Sequence, residues 1–314
     1  MENEIRKSEI LFFFETSFNI PNGDPFTGEQ RYDEETKKIL VSDVRMKRYI
    51  RTYFEENKLP IYVSERTGAG KTDSKGVLTW IAENRNPDDL LDISELLKQQ
   101  IDVRLFGGIS TLGEDAKKIK IKGKEMKNGH TQFTGPVQFA LLNPSLNEVV
   151  LRMHQNTTHF TSKAENSQGS IGTTTIVPYS LVQIHGWVNP KIAEETGMTN
   201  QDLELMYKGL WYGTSGDGSS HSRSKVGQNA ILLVEIVYSE KNQKIYGVDR
   251  LVSLTPKRDK KEDQIRSMDD YDLDFSKLIK AAEMGKVEKI KFYTEIDSIY
   301  LELIGQNKFE AITL

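Results

Sequence analysis

At 314 residues, 28% charged and 37% hydrophobic, the chain has the composition of an ordinary soluble globular protein with room for a large core. It contains no cysteine, which excludes disulfides, thiolate zinc sites and a cysteine nucleophile and fits a reducing cytoplasm. No apolar run approaches the roughly 18 residues that span a bilayer, and the opening MENEIRKSEI mixes acids with bases, unlike a signal or transit peptide. The net charge of −4 argues against a nucleic-acid binder, yet cations cluster at 42–51, 117–130, 219–228 and 256–261 and acids at 86–95 and 266–275. Distribution therefore matters more than the sum.

The first expected element is a buried strand, EILFFFETSFNI (9–20). It ends at PNGDPFTGE, where Pro21, Gly23, Pro25 and Gly28 forbid regular structure. Asp24, Asp33, Glu34 and Glu35 come next and could face a divalent ion, but Phe26 and Gly28 stand where a calcium loop needs ligands. A helix follows, with Ser42 as N-cap, Asp43 complementing the macrodipole, and Met46, Tyr49, Ile50, Tyr53 and Phe54 at helical spacing. Its other face carries Arg45, Arg48 and Arg51, with Lys47 at the boundary, and it stops before Pro60.

SERTGAGKTD (64–73) ends like a phosphate-binding P-loop at Gly70, Lys71 and Thr72, but Glu65 occupies the position of the opening glycine. The following DSKGVLTWIAEN begins with turn-formers, so no helix is expected at Lys71, and the segment reads as a basic loop. Residues 60–130 differ from the rest: short strands, glycines, an acidic helix around 88–101 and a lysine run make an inserted subdomain. Strands are expected at 134–143 and 179–190, with a long protruding hairpin between them whose mobile tip falls near 161–172. A helix at 199–214 buries Leu203, Met206, Tyr207 and Leu210; a glycine-serine loop then leads into a strand at 230–240. A third helix near 275–284 and a final strand near 298–304 complete the chain.

The core order, strand–helix–strand–strand–helix–strand, is an α+β, ferredoxin-like arrangement shared by RNA-recognition modules. No stretch matches their aromatic consensus. Among the five histidines, His154 and His159 have no metal-site spacing, His185 reads as a satisfied core residue, and His221 lies among serines. No nucleophile elbow exists. Ser219, Ser220, Ser222, Arg223, Ser224 and Lys225 gather hydroxyls, backbone N–H groups and cations in one loop, which suits phosphate rather than base recognition. With the arginines of the first helix they describe a groove that tracks a nucleic-acid backbone.

FNIPNGDP, LVSDVRMKRYIRTYF, DVRLFGG (102–108), GPVQF (135–139) and HSRSKVGQ, in this order, resemble the backbone subunit of type I CRISPR Cascade complexes, above all the type I-B form. This is the CRISPR-associated protein seven family of the RAMP superfamily. The resemblance runs from residue 9 to about 240, and departs from the pattern where Ile20 and Pro21 precede Asn22. It implies a modified RNA-recognition palm (1–59, 131–144 and 179–314), fingers (60–130) and a thumb hairpin (145–178). It implies a non-catalytic scaffold without metal or cofactor, stacked head to tail along one CRISPR RNA, with other Cascade subunits as partners and the guide free to pair with target DNA. Asn22, Lys47, Arg48, Arg51, Ser222, Arg223, Ser224 and Lys225 would meet the guide, and the Gly107–Gly108 turn would let backbone approach it. Phe160 or Met153 would wedge between bases, and Arg66 and Lys71 could also touch nucleic acid. The rival expectation, from type III relatives, is a metal-dependent ribonuclease using Asp24 or Asp33.

Overall fold

Leu11, Phe12, Phe13 and Phe14 are all fully buried in the first strand, β1 (Ser8–Asn19). Side chains alternate across a strand, so this burial demands packing on both faces of the sheet. Ile10, Phe12 and Phe14 face a core shared with helices, whereas Leu11 and Phe13 face a second core built with the C-terminal part of the chain. The computed structural model describes residues 4–64, 73–86, 88–158, 170–215 and 223–314.

In chain order, β2 (Tyr32–Asp33) and β3 (Lys38–Ser42) lead to helix α1 (Asp43–Glu56). Next come α2 (Ser74–Asn84), α3 (Ile93–Lys98), α4 (Ile101–Phe106), β4 (Gly107–Thr111), β5 (Lys120–Ile121), β6 (Lys124–Glu125) and β7 (His130–Thr134). β8 (Val137–Phe139) and β9 (Leu142–Pro144) precede β10 (Arg152–Thr158) and the long β11 (Ser170–Val188). After α5 (Pro190–Thr196), α6 (Asn200–Thr214) and β12 (Gln228–Tyr238), the C-terminal part holds β13 (Ser253–Pro256), β14 (Tyr271–Asp274), α7 (Ser276–Ala282), β15 (Val287–Tyr293), α8 (Asp297–Ile304) and β16 (Phe309–Ala311).

The main sheet runs β10-β11-β1-β12-β15-β16, with β8 also on β11. β12, β1, β11 and β8 are antiparallel neighbours, the strand order of a split βαβ unit with α1 and α6 as its helices. Both helices are set locally. Ser42 Oγ accepts the Arg45 amide to cap α1, and Thr199 and Asp202 form a reciprocal capping box on α6. α6 presses on α1 through Gly213, where a Cβ would sit 2.6 Å from the Tyr49 carbonyl oxygen. The opposite sheet face, which RNA-recognition modules leave open for aromatic stacking, is roofed by Val248, Leu251, Tyr271, Phe275, Leu278 and Leu303. That accounts for the missing aromatic consensus.

Residues 60–130 have a core of their own, including Leu78, Ile81, Leu96, Leu97, Val103, Ile119 and Met126. The acidic helix expected around 88–101 is instead two short helices. Asp92 is a cap, accepting the Ser94 amide at 2.8 Å, and the chain breaks at Gln100, after which the Ile101 amide donates to Pro60 O at 2.9 Å. A helix does begin just beyond Lys71: Asp73 caps α2 by accepting the Gly76 amide at 2.8 Å. The strand expected near 298–304 is α8, because Ile299 and Leu303, four apart, are the residues buried against the second core. The hairpin starts at Arg152 rather than 145. Residues 145–149 are held to the body by Ser145 N to Ile39 O (2.9 Å), Leu146 N to Leu181 O (2.8 Å) and Val149 N to Lys37 O (2.7 Å). Of its expected tip, 161–169 lies outside the described residues.

Candidate nucleic-acid interface

Three motifs far apart in sequence meet at the end of β1. The Ser17 amide donates to Gly227 O and the Ile20 amide to Ser224 O, both at 2.9 Å, and Asn19 Nδ2 donates to Val226 O at 2.7 Å. Lys225 Nζ donates to Ile20 O, and Gln228 Nε2 donates to Lys225 O at 2.8 Å. Tyr49 of α1 closes the unit, its hydroxyl donating to Gln228 Oε1 at 2.9 Å. The strand end, the helix and residues 224–228 thus form one hydrogen-bonded assembly.

Asn22 is the pin between this assembly and α1. Its Oδ1 accepts the Ser42 amide at 2.6 Å, its own amide donates to Gln30 Oε1 at 2.9 Å, and its carbonyl accepts from Arg31 N at 3.0 Å. The residue is buried.

The α1 cations are less free than the sequence implied. Arg51 Nε donates to Asp102 Oδ2 at 2.9 Å, and the fully buried Asp102 also accepts the Tyr62 and Val63 amides at 2.8 and 3.0 Å. Arg104, in the same DVR motif, holds Asp202 of α6 through two bonds of 2.9 and 2.6 Å. Lys47 pairs with Asp43 at 3.1 Å and lies over the Phe106 ring. Arg48 is half-buried on the same helix. Arg45 covers the Tyr49 ring at 4.3 Å.

Lys225, expected at the surface, is buried; loss of hydration, aided by the nearby Arg45 charge, pulls its pKa down to about 7. Its ammonium holds the Ile20 carbonyl and so positions the loop. Ser224 is described beside it, whereas Ser222 and the Arg223 side chain lie outside the described residues, as do Arg66, Lys71 and Phe160. Met153 is 77% exposed on β10, opposite Thr175. Gly107 has φ +79°, and a Cβ there would lie 2.3 Å from Phe133 O, so the glycine pair serves the β4–β7 pairing.

The carboxylates of the rival reading stand in separate turns. Asp24 accepts the Phe26 amide at 2.9 Å, which with Arg31 at 3.2 Å keeps its pKa low. Asp33 accepts the Thr36 hydroxyl at 2.6 Å and is likewise held low, chiefly by that bond. Among the described residues no group of three or more histidines and acids could hold a metal ion, and no helix is long and apolar enough to cross a membrane. His185 is satisfied by Glu9 at 2.7 Å.

One residue escaped sequence reasoning. Phe18 reads as part of the buried β1 run, yet it is 62% exposed with φ +50°. It borders a cleft of about 380 Å³ lined also by Asn19, Ile20, Ser224 and the hairpin residues His154, Thr174 and Ile176. The available signal is weak: SFN interrupts the apolar run just before Pro21.

Residues 6–276 match the family model described as CRISPR-associated protein Cas7. The chain belongs to the Cas7 family. It is 29% identical over 289 residues to the curated CRISPR-associated protein Cas7 of Haloferax volcanii, covering 89% of this chain and 83% of that one. Its Cas7 fold is also similar to chains of two solved structures. A chain of a "CRISPR RNA-guided surveillance complex, pre-nicking" matches with TM-score 0.53 and 12% identity over 98% of this chain and 96% of that one. A chain of a "CRISPR RNA-guided surveillance complex" matches with TM-score 0.52 and 11% identity, over 97% and 94% respectively. The mixed α+β architecture is that of the family.

Proposed function

We propose that this chain is a non-catalytic scaffold that binds CRISPR RNA, polymerises head to tail along it, and presents it for pairing with target DNA within a cytoplasmic type I-B Cascade. The observation that carries this reading is the convergence of the β1 end, α1 and the 223–227 loop into one assembly beside the exposed β10–β11 hairpin. The split βαβ unit with its C-terminal layer is the palm, the 60–130 insertion the fingers and the hairpin the thumb. Arg48, Ser222, Arg223 and Ser224 meet guide phosphates directly. Asn22, Lys47, Arg51, Gly107, Gly108 and Lys225 hold the surface in shape. Met153 or Phe160 wedges between bases, and Arg66 and Lys71 add cations from the finger loop. Backbone contacts of this kind ignore sequence, as a subunit serving many guides needs.

The test is the RNA that accompanies the protein. Expressed without partners, it is expected to copurify with host RNA, and nuclease trimming is expected to leave a ladder of evenly spaced fragments, one step per subunit. A single protected length, or protein free of RNA, would reject polymerisation along a strand.

A further inference from the structure

A bulky side chain with positive φ is strained backbone, retained only where its surroundings over-determine it. Phe18 is such a residue. On one side the Ser17 amide is tied to Gly227 O, and on the other the Asn19 side chain and Ile20 amide are tied to Val226 O and Ser224 O. Thr16 Oγ1 further donates to Asn19 Oδ1. These bonds turn the Phe18 ring out of the sheet instead of into either core, leaving it 62% exposed. Among the described residues Phe18 joins none of the three hydrophobic cores.

The ring forms one wall of the cleft between the β1 end and the hairpin. The facing wall is polar-edged: His154 and Thr174 are register partners, with Ile176 beneath them, and Ser224 closes the side. Arg152, paired with Ile176, lies two residues before His154 and so on the same face of β10, and it is exposed. Met153 points to the opposite face, so the cleft is separate from the expected thumb wedge. An aromatic wall, hydroxyl and imidazole edges and a nearby guanidinium are the chemistry that takes a flat heteroaromatic group attached to a phosphate.

We propose that Phe18 is a stacking platform for one nucleobase of the bound RNA strand, with His154, Thr174 and Ser224 at the base and ribose edge and Arg152 at the adjoining phosphate. The inference rests on the RNA-binding reading above and adds a specific base contact to it. Because every base has a π-face, such a platform is indifferent to sequence, consistent with a scaffold for varied guides.

The test compares wild type with Phe18→Ala, Phe18→Leu, Phe18→Trp and Phe18→Gly, using labelled single-stranded RNAs of unrelated sequence. Phe18→Ala and Phe18→Leu are expected to weaken binding about five- to hundredfold on every sequence. Phe18→Trp is expected to bind like wild type, with its added fluorescence quenched by RNA. Phe18→Gly, which relieves the positive φ, is expected to melt at or above the wild-type temperature while losing affinity, separating folding from binding. Wild-type affinity in Phe18→Ala would overturn the inference and leave the RNA-binding reading standing. So would wild-type affinity in Phe18→Leu alone, which would assign the cleft to an apolar side chain of a neighbouring copy. Failure of the wild-type protein to bind any RNA would overturn both.

Discussion

Asp102 sits where two parts of the chain are bolted together, and the cost of removing it follows from its partners. Without its carboxylate the Arg51 guanidinium and the amides of Tyr62 and Val63 lose their acceptors inside a buried site. Breaking a buried pair by deleting one partner costs about 3–5 kcal/mol, because the remaining charge is left uncompensated. Asp102→Ala is therefore expected to shift the urea midpoint strongly downward, with RNA binding lost only as folding is lost. An unchanged midpoint would show that the Arg51 charge finds water instead. Arg51, a phosphate contact by its helical position, also bonds within the protein, its Nε donating to Asp102 Oδ2 at 2.9 Å. Lys225 repeats the lesson, since residue type and spacing do not say which way a lysine points, and here burial and the Ile20 carbonyl decide it.

At the scale of elements, α1 shows what the sequence carries and what it leaves out. Its cap, its apolar stripe and its basic face were all legible, because capping and helical period are local properties. Arg48, half-buried on the basic face of α1, is the cation to test there. Arg48→Ala is expected to weaken binding equally for unrelated RNAs and to flatten the slope of log affinity against log salt by about one phosphate contact. A loss confined to particular sequences would contradict backbone recognition. α8 was misread for the converse reason. SIYLELI mixes β-branched, aromatic and leucine residues, so a short run of it fits strand or helix equally, and only the second core selects Ile299 and Leu303 as the buried pair. The Asp88–Asp92 acids looked like a helix start, but Asp92 alone serves as a cap. Phe18 was invisible to any periodicity, since its exposure is imposed by hydrogen bonds from a loop more than two hundred residues away in the chain.

At the scale of the molecule, the two-sided burial of β1 ties the C-terminal part to the rest. Leu11, Phe13, Leu232, Val234 and Ile236 present one face of the sheet, and residues 245–303 cover it. An RNA-recognition module would leave that face to its ligand; here the C-terminal layer occupies it. A chain ending at Lys244 would expose this face as a contiguous apolar patch, larger than a soluble monomer tolerates. It would also lose β15, leaving the edge of β12 without its partner. The truncated protein is expected to aggregate, measured as soluble yield and elution volume beside the full chain. If it instead stayed monomeric and bound single-stranded RNA with full affinity, the C-terminal layer would be a removable cover over a working RNA surface, and the β1 end would no longer be the place to look for the guide.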